Sequence, residues 1–561
     1  VSPPPAKAPP KHQGFVTCTI DGAEVIARPG TNMIEAAKHV GVEIPYYCYH
    51  PRLTIAANCR MCLVEVSNSP KLVPACQTPL SEGLAVKTNT PVVKESHRSV
   101  MEFLLLNHPV DCAICDQAGE CKLQDYYMQH DFRPSRLDDR KLLRNKRKVL
   151  GPLVVLDQER CILCTRCVRF MDEVAKEPQL GVFERGSQER IDIFPGSSLD
   201  SNYSGNTVDI CPVGALLNRD FRFRARAWFL STSPSICTGC SRGCNTFIDF
   251  FGQETYRYRP RENEEINKSW LCDQGRLSYK YLNRDRVLVP TLGRGQDAQE
   301  TSAAEAANWA SQKLKPLANT PELAVLASPV ASNEDLIACL SFVKQILGVS
   351  RIHAGGRPAG EADHYLMTAD KNPNRRGLEW IANGLGLELK PFEDLVSAIE
   401  AGSVKALYAI GAELPAHPPG FEASLKRLEV VVVQAINQGM LSAYADLVLP
   451  ASPHSEDEGS FTNVDGFIQR FRPAYPTRGG SQPHWKWSAD LARAAGLAWT
   501  ASSAREVFRE GAKQIPQFAS YDWDASAPPA HLRPGGGPLP AAADGRPPGY
   551  REWGTPRVRG I

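Results

Sequence analysis

Fifteen of the chain's 17 cysteines, with one histidine, fall into four groups of four within the first 272 of its 561 residues. Cys48, Cys59, Cys62 and Cys76 are spaced C-x10-C-x2-C-x13-C, and His108, Cys112, Cys115 and Cys121 are spaced H-x3-C-x2-C-x5-C. Cys161, Cys164, Cys167 and Cys211 follow as C-x2-C-x2-C-x43-C, and Cys237, Cys240, Cys244 and Cys272 as C-x2-C-x3-C-x27-C. Thiolates two or three residues apart suit metal ligation, because one tight loop can aim both sulfurs at a shared centre. The cysteines are too sparse and too bunched for a disulfide scaffold, and their count is odd, so ligation in a reducing compartment is the expected chemistry. Cys18, in an alternating strand pattern, and Cys339, among Leu and Ile on a helix, are left over and expected in the core.

The sets differ in how specific they are. The first, a Cys-rich loop closed by an isolated fourth cysteine, follows the logic of a plant-type 2Fe–2S site, with a first spacer of ten residues rather than four. A zinc ribbon would need a second close pair, and Cys48 and Cys76 each stand alone. The second set, taken alone, suits zinc as well as a 4Fe–4S cluster; the iron–sulfur spacing of its neighbours favours the cluster. Imidazole in place of a thiolate removes a negative charge and should raise the potential. The third set carries the C-x2-C-x2-C run and a distant Cys211-Pro212, the pattern of bacterial 4Fe–4S ferredoxins. The fourth reads as one further 4Fe–4S site.

The elements that must hold these ligands can be read from periodicity. Val16, Cys18 and Ile20 alternate, Asp21-Gly22 turns, and Val25–Ala27 continues a hairpin; Ile34, Ala37 and Val40 then carry a short helix stopped by Gly41. Strand, strand, helix and Cys-rich loop resemble the β-grasp of a small ferredoxin over 15–93. Residues 94–147 read as helical, with Met101, Leu104 and Leu105 on one face. Past Leu288, strands at Leu323–Leu326, Ala406–Ile410 and Val430–Val433 alternate with helices at Asp335–Leu347 and Leu395–Ala401, predicting α/β with a largely parallel sheet. Residues 1–14 and 525–561 are Pro- or Pro/Gly-rich and are expected to be a flexible and an extended tail.

The segments NCRMCLVEV (58–66), NHPVDCAICDQAGECKLQD (107–125), CILCTRCVRF (161–170), DICPVGAL (209–216) and GCNTF…WLCDQGR (243–276) resemble the large iron–sulfur subunit of respiratory complex I, NADH:quinone oxidoreductase. The resemblance is close over 15–290 and implies a multidomain α/β fold with an α+β N-terminal half. In order it implies a 2Fe–2S ferredoxin-like domain (15–93), a helical 4Fe–4S domain with one His and three Cys ligands (94–150), a 4Fe–4S ferredoxin-like domain (151–218) and a 4Fe–4S domain of molybdopterin-oxidoreductase type (219–290). A degenerate molybdopterin-oxidoreductase-like α/β domain is implied over 291–524. The implied function is an electron relay within a proton-translocating oxidoreductase, with no substrate chemistry of its own. Electrons would enter at the Cys48 set from the flavoprotein subunit and pass through the Cys161 and His108 sets to the downstream iron–sulfur subunit and quinone. The Cys237 set would lie off that path. The implied partners are those two subunits and the 2Fe–2S subunit. The implied location is peripheral, on the cytoplasmic side of a bacterial inner membrane or the matrix side in a mitochondrion.

KALYAIGAE (405–413), ADLVLPAS (445–452) and EDEGSFTNVDGFIQR (456–470) resemble strand–loop and cofactor-rim segments of molybdopterin oxidoreductases. Three departures argue against a working molybdenum site: only 289 residues follow Cys272, no cysteine there sits in a metal-binding loop, and the family's Lys two residues past the last cluster Cys is Gln274. A molybdenum formate dehydrogenase is therefore the disfavoured alternative, alongside an iron-only hydrogenase and a zinc-stapled scaffold. Molybdopterin, FMN and NADH are not expected on this chain. Gly293-Arg-Gly295-Gln-Asp-Ala298 matches G-x-G-x-x-A without a βαβ unit or a following acid, so a surface loop is expected. Arg133–Lys148 carries eight basic residues against two Asp and reads as a solvated helix, with a subunit interface as the functional alternative. Arg219, Arg222, Arg224 and Arg226 are expected to offset cluster charge. The balance of 64 Lys+Arg against 62 Asp+Glu gives no field for nucleic acid. No apolar run reaches the ~18 residues of a spanning helix, and no apolar signal segment opens the chain, so membrane association is expected only through partners.

Overall fold

The computed structural model describes residues 14–523 and the backbone of a short strand, His531–Leu532. The expected tails lie outside the described residues, apart from residue 14 and that strand, which pairs antiparallel with Ile468–Phe471. The chain divides into two compact units meeting at Phe229/Leu230.

In the first unit, strands Val16–Ile20 and Ala23–Ala27 form the hairpin, joined around the positive φ of Asp21 and Gly22. Val16–Ile20 pairs parallel with Ala85–Lys87, which pairs antiparallel with Leu63–Val66, giving a five-stranded sheet closed by Val73–Pro74. The Met33–His39 helix starts at Asn32, whose side chain accepts the Glu35 N–H, and buries Met33, Ile34, Ala36 and Ala37. That is the expected β-grasp, and Cys18 is in its core. Thr90 caps and Pro91 opens the Pro91–Asn107 helix, which buries Val93, His97 and Met101 at four-residue spacing.

The helical expectation for 94–147 fails beyond His130. Regular helix covers Pro91–Asn107 and Lys122–His130, and 131–147 is irregular. Pro134 removes a backbone donor, and the basic side chains are drawn to separated partners rather than along one helix face. Arg136 pairs with Glu102, Lys141 donates to the carbonyls of Leu105 and Leu106, Lys146 pairs with Asp111 and Glu159, and Lys148 with Asp192. The segment is a strap stitched to its own unit.

The second unit opens with an antiparallel sheet of Ser231–Ile236, Asn245–Phe251 and Glu254–Pro260. An eight-stranded sheet follows, ordered 299–300, 291–292, 447–450, 430–435, 406–410, 323–327, 351–354, 388–390, and parallel from 447–450 onward. Its central strands are buried at every position because both faces are covered, and apolar throughout except at Gln434. In Leu323–Ala327, Leu323, Val325 and Ala327 join one core cluster, while Ala324 and Leu326 join the other. Cys339 lies in the first of these clusters, and 293–298 is a loop between two short edge strands.

Candidate metal centres

Each ligand set sits where a loop meets the start of an element. Cys121 is the N-cap of the Lys122–His130 helix, Cys272 that of the Asp273–Leu277 helix, and Cys167 lies in the first turn of the Arg166–Glu173 helix. His108 follows the last residue of the Pro91–Asn107 helix. The loops are bent into left-handed backbone by ordinary residues: Ala57 (φ 50°) and Arg60 (58°) flank Cys59, and Leu163 (53°) and Thr165 (57°) flank Cys164. Each costs about 1–3 kcal/mol, and such strain concentrates where function holds the backbone.

The bends turn amide N–H groups toward sulfur. Cys48 N donates to Cys59 Sγ at 3.4 Å, Leu163 N to Cys161 Sγ at 3.5 Å, Gly239 N to Cys237 Sγ at 3.4 Å and Gly275 N to Cys272 Sγ at 3.2 Å. In the first set, hydrogen bonds from Cys59 and Cys76 hold the Cys48 thiol below the ordinary thiol range. The bond to Cys48 and burial push Cys59 up, and bonds to Cys48 and Cys62 do the same for Cys76. The contacts run in a row, Cys59 to Cys48 to Cys76 to Cys62.

All four cysteines of the third set line one cavity, walled by Leu156, Ile191, Val213 and Leu216. Burial pushes its thiols up, Cys161 to about 12 and Cys164 to about 11. The fourth set is buried throughout, and Cys237, Cys240 and Cys272 are all electrostatic neighbours of Cys244. In the second set Cys115 neighbours both Cys112 and Cys121, and Cys112 is exposed. His108 lies among Arg160, Lys141, Asp111 and Lys146, and burial first, then those cations, bring its ring down to about 4. Its Nδ1 is buried without a hydrogen-bond partner.

These features fit iron–sulfur ligation. A neutral imidazole with an unpartnered buried nitrogen is a ligand-competent donor. Gly214 makes a cradle, since a Cβ there would stand 2.2 Å from Cys115 Sγ, and at Gly275 one would stand 3.0 Å from Cys237 Sγ and 3.2 Å from Cys272 Sγ. Amide N–H groups on sulfur and an apolar, buried surround are the levers that tune such a centre. Among the described residues, no three His, Cys, Asp or Glu side chains converge as the ligands of one ion do; the sets are grouped more loosely than that.

Sequence reasoning missed the arginines that join one set to another. Arg169 Nη2 donates to the carbonyls of Cys48 (2.6 Å) and Cys164 (3.2 Å). Arg166, 1% exposed, donates to the carbonyls of Tyr49 and Ile210. Of the four arginines expected to offset charge, Arg226 reaches the second set through the carbonyls of Cys115 (2.7 Å) and Ala113. Arg219 instead binds the carbonyls of Gly151 and Pro152, and Arg222 lies over the Phe223 ring. The partners of Arg166 and Arg169 include backbone atoms up to 121 residues away, which leave no trace in local spacing.

Five family models match the chain in tandem: "2Fe-2S iron-sulfur cluster binding domain" (14–91), "NADH-ubiquinone oxidoreductase-G iron-sulfur binding region" (97–136), "NADH-quinone oxidoreductase subunit 3, ferredoxin-like domain" (151–217), "NADH-ubiquinone oxidoreductase NDSU1/NuoG-like, 4Fe-4S domain" (235–280) and "Molybdopterin oxidoreductase" (291–494). Fold and sites therefore define a class: an iron–sulfur protein with 2Fe–2S and 4Fe–4S binding domains ahead of a molybdopterin-oxidoreductase-type α/β domain. The chain is similar to subunits of NADH:quinone oxidoreductase. It is 40% identical over 332 residues to an NADH-quinone oxidoreductase subunit of Rickettsia felis, covering 59% of this chain and 49% of that one. It is 46% identical over 290 residues to NADH dehydrogenase [ubiquinone] iron-sulfur protein 1 of Solanum tuberosum, covering 52% and 39%. The chain thus spans about half the length, or less, of these curated relatives. A chain in a crystal structure of an NAD+-reducing [NiFe]-hydrogenase aligns over 37% of this chain and 90% of its own, at 29% identity and a TM-score of 0.34, too low to define a shared fold. Among the described residues no helix is long and apolar enough to cross a membrane.

Proposed function

We propose that this chain is the electron-relay subunit of an NADH:quinone oxidoreductase whose whole complex translocates protons. Cys48, Cys59, Cys62 and Cys76 hold a 2Fe–2S cluster; the His108, Cys112, Cys115, Cys121 set, the Cys161, Cys164, Cys167, Cys211 set and the Cys237, Cys240, Cys244, Cys272 set each hold a 4Fe–4S cluster. When bound, these clusters supply one-electron storage and transfer. The chain's own residues do the rest. Strained loops hold the sulfurs together, amide N–H groups lower their charge, and Leu156, Ile191 and Val213 keep water from the third set.

The observation that carries the reading is that third set: four cysteines spread over 51 residues of sequence line one cavity beneath left-handed residues at 163 and 165. The similarity to complex I subunits supports working partners in the flavoprotein, 2Fe–2S and downstream iron–sulfur subunits, and a peripheral place on the cytoplasmic or matrix side. The α/β domain is proposed as scaffold without molybdopterin. Gln274, in the position where a molybdenum enzyme carries Lys, is exposed.

Replacement tests the path in the assembled complex. Cys161→Ala is expected to abolish NADH-to-quinone electron transfer while assembly persists, and Cys272→Ala mainly to reduce assembly. A Cys161→Ala complex that assembles and transfers electrons at the wild-type rate would overturn the relay. A Cys272→Ala complex that assembles fully but transfers nothing would put the fourth set on the main path.

A further inference from the structure

We propose that Arg169 is a positioning residue that couples the first and third ligand sets, setting both their separation and their potentials through one shared cation. The proposal rests on the relay reading above. Arg169 is half-buried; its Nη2 donates to the carbonyls of Cys48 at 2.6 Å and Cys164 at 3.2 Å, its Nη1 to that of Thr54, and its Nε to the Thr165 hydroxyl at 3.3 Å. Cys48 is a ligand of one set and Cys164 of the other, so a single rigid fork spans both. Its neighbours reinforce the joint. Asn58 Nδ2, beside Cys59, donates to the Leu163 carbonyl at 3.2 Å, and Glu173 accepts from Thr54 N at 2.8 Å and from its hydroxyl. Arg166, three residues earlier on the same helix, ties the carbonyl after Cys48 to the one before Cys211.

Two physical consequences follow. A reduced cluster carries more negative charge, and a fixed cation beside it in a partly desolvated setting favours that state. Because the guanidinium donates directly to the backbone of Cys48 in one set and of Cys164 in the other, both sets should feel its charge. Geometry adds the second effect. Lys offers a point charge without the planar set of donors, so it can replace the charge but cannot hold Cys48, Cys164, Thr54 and Thr165 at once.

The test uses the whole complex carrying Arg169→Gln or Arg169→Lys, with iron counted, each cluster's midpoint followed by EPR-monitored titration, and electron passage from first to third set timed by freeze-quench after an NADH pulse. Arg169→Gln is expected to make both the first and third clusters harder to reduce, by on the order of tenfold, or about 59 mV for one electron, with the second and fourth unmoved. Arg169→Lys is expected to restore most of both potentials yet leave the passage slowed. Unchanged potentials in Arg169→Gln, or movement of only one of the two, would overturn the shared role. If Arg169→Gln fails to retain iron, Arg169→Lys decides alone, and a wild-type passage rate there would overturn it. Wild-type protein without iron in these two sets would bring down the relay reading itself, a failure visible before any variant is made.

Discussion

Gly214 measures how little room the ligand loops leave. It sits three residues after Cys211, and its missing Cβ is what allows Cys115 of another set to approach. Its backbone is not in the left-handed region, so space alone makes the demand. Gly214→Ala is expected to displace Cys115 and cost the second set its cluster, about four iron atoms per chain, while the other three EPR signals persist. Full iron content in that variant would show that the loop relaxes around the methyl group. At this scale the sequence offers candidate ligands, because a ligand set is a matter of residue type and spacing. It was a poor guide to what surrounds them: Gly214 looks like any loop glycine, and Arg169 like any helical arginine, until the chain is folded.

Elements were legible where one periodicity dominates and obscure where charge competes with it. The Ala406–Ile410 strand and the Val430–Ala435 strand are apolar at nearly every position and could be placed nearly to the residue. The 131–147 strap could not, since its basic residues answer to Glu102, Asp111 and Glu159 rather than to a helix face. The Asn333–Gln345 helix hides a further feature, Glu334, which is fully buried and accepts from the N–H (2.7 Å) and hydroxyl (2.6 Å) of Ser460. Burial pushes its carboxyl up to about 8, against the pull of those hydrogen bonds. An unfolded Glu titrates near 4.3, so between roughly pH 4.3 and 8 the folded state holds a proton that the unfolded state has lost. Stability of the α/β domain should accordingly fall as pH rises through that window. Glu334→Gln is expected to flatten the dependence and to be the more stable form at pH 8; hydrogen exchange along Val430–Ala435 reads both. Parallel pH profiles for the two proteins would contradict the buried neutral acid.

At the scale of the whole molecule, ligand chemistry and scaffold separate along the chain. Sixteen candidate ligands lie at or before Cys272, while the eight-stranded sheet beyond it supplies two apolar cores and a lone cysteine, Cys339, packed inside one of them. The order of domains was readable because each ligand set marks its own domain. The two compact units divide at Phe229/Leu230, and 219–229 is stitched to the second set by Arg226 and by Phe223 N on Asp116. If four clusters define the chain, its metal content must say so. Elemental analysis of the anaerobically purified chain should find about 14 iron atoms, two in the first set and four in each of the others, with neither molybdenum nor zinc in stoichiometric amount. Stoichiometric molybdenum would make the α/β domain a live catalyst, and zinc in place of iron would reduce the relay to a scaffold.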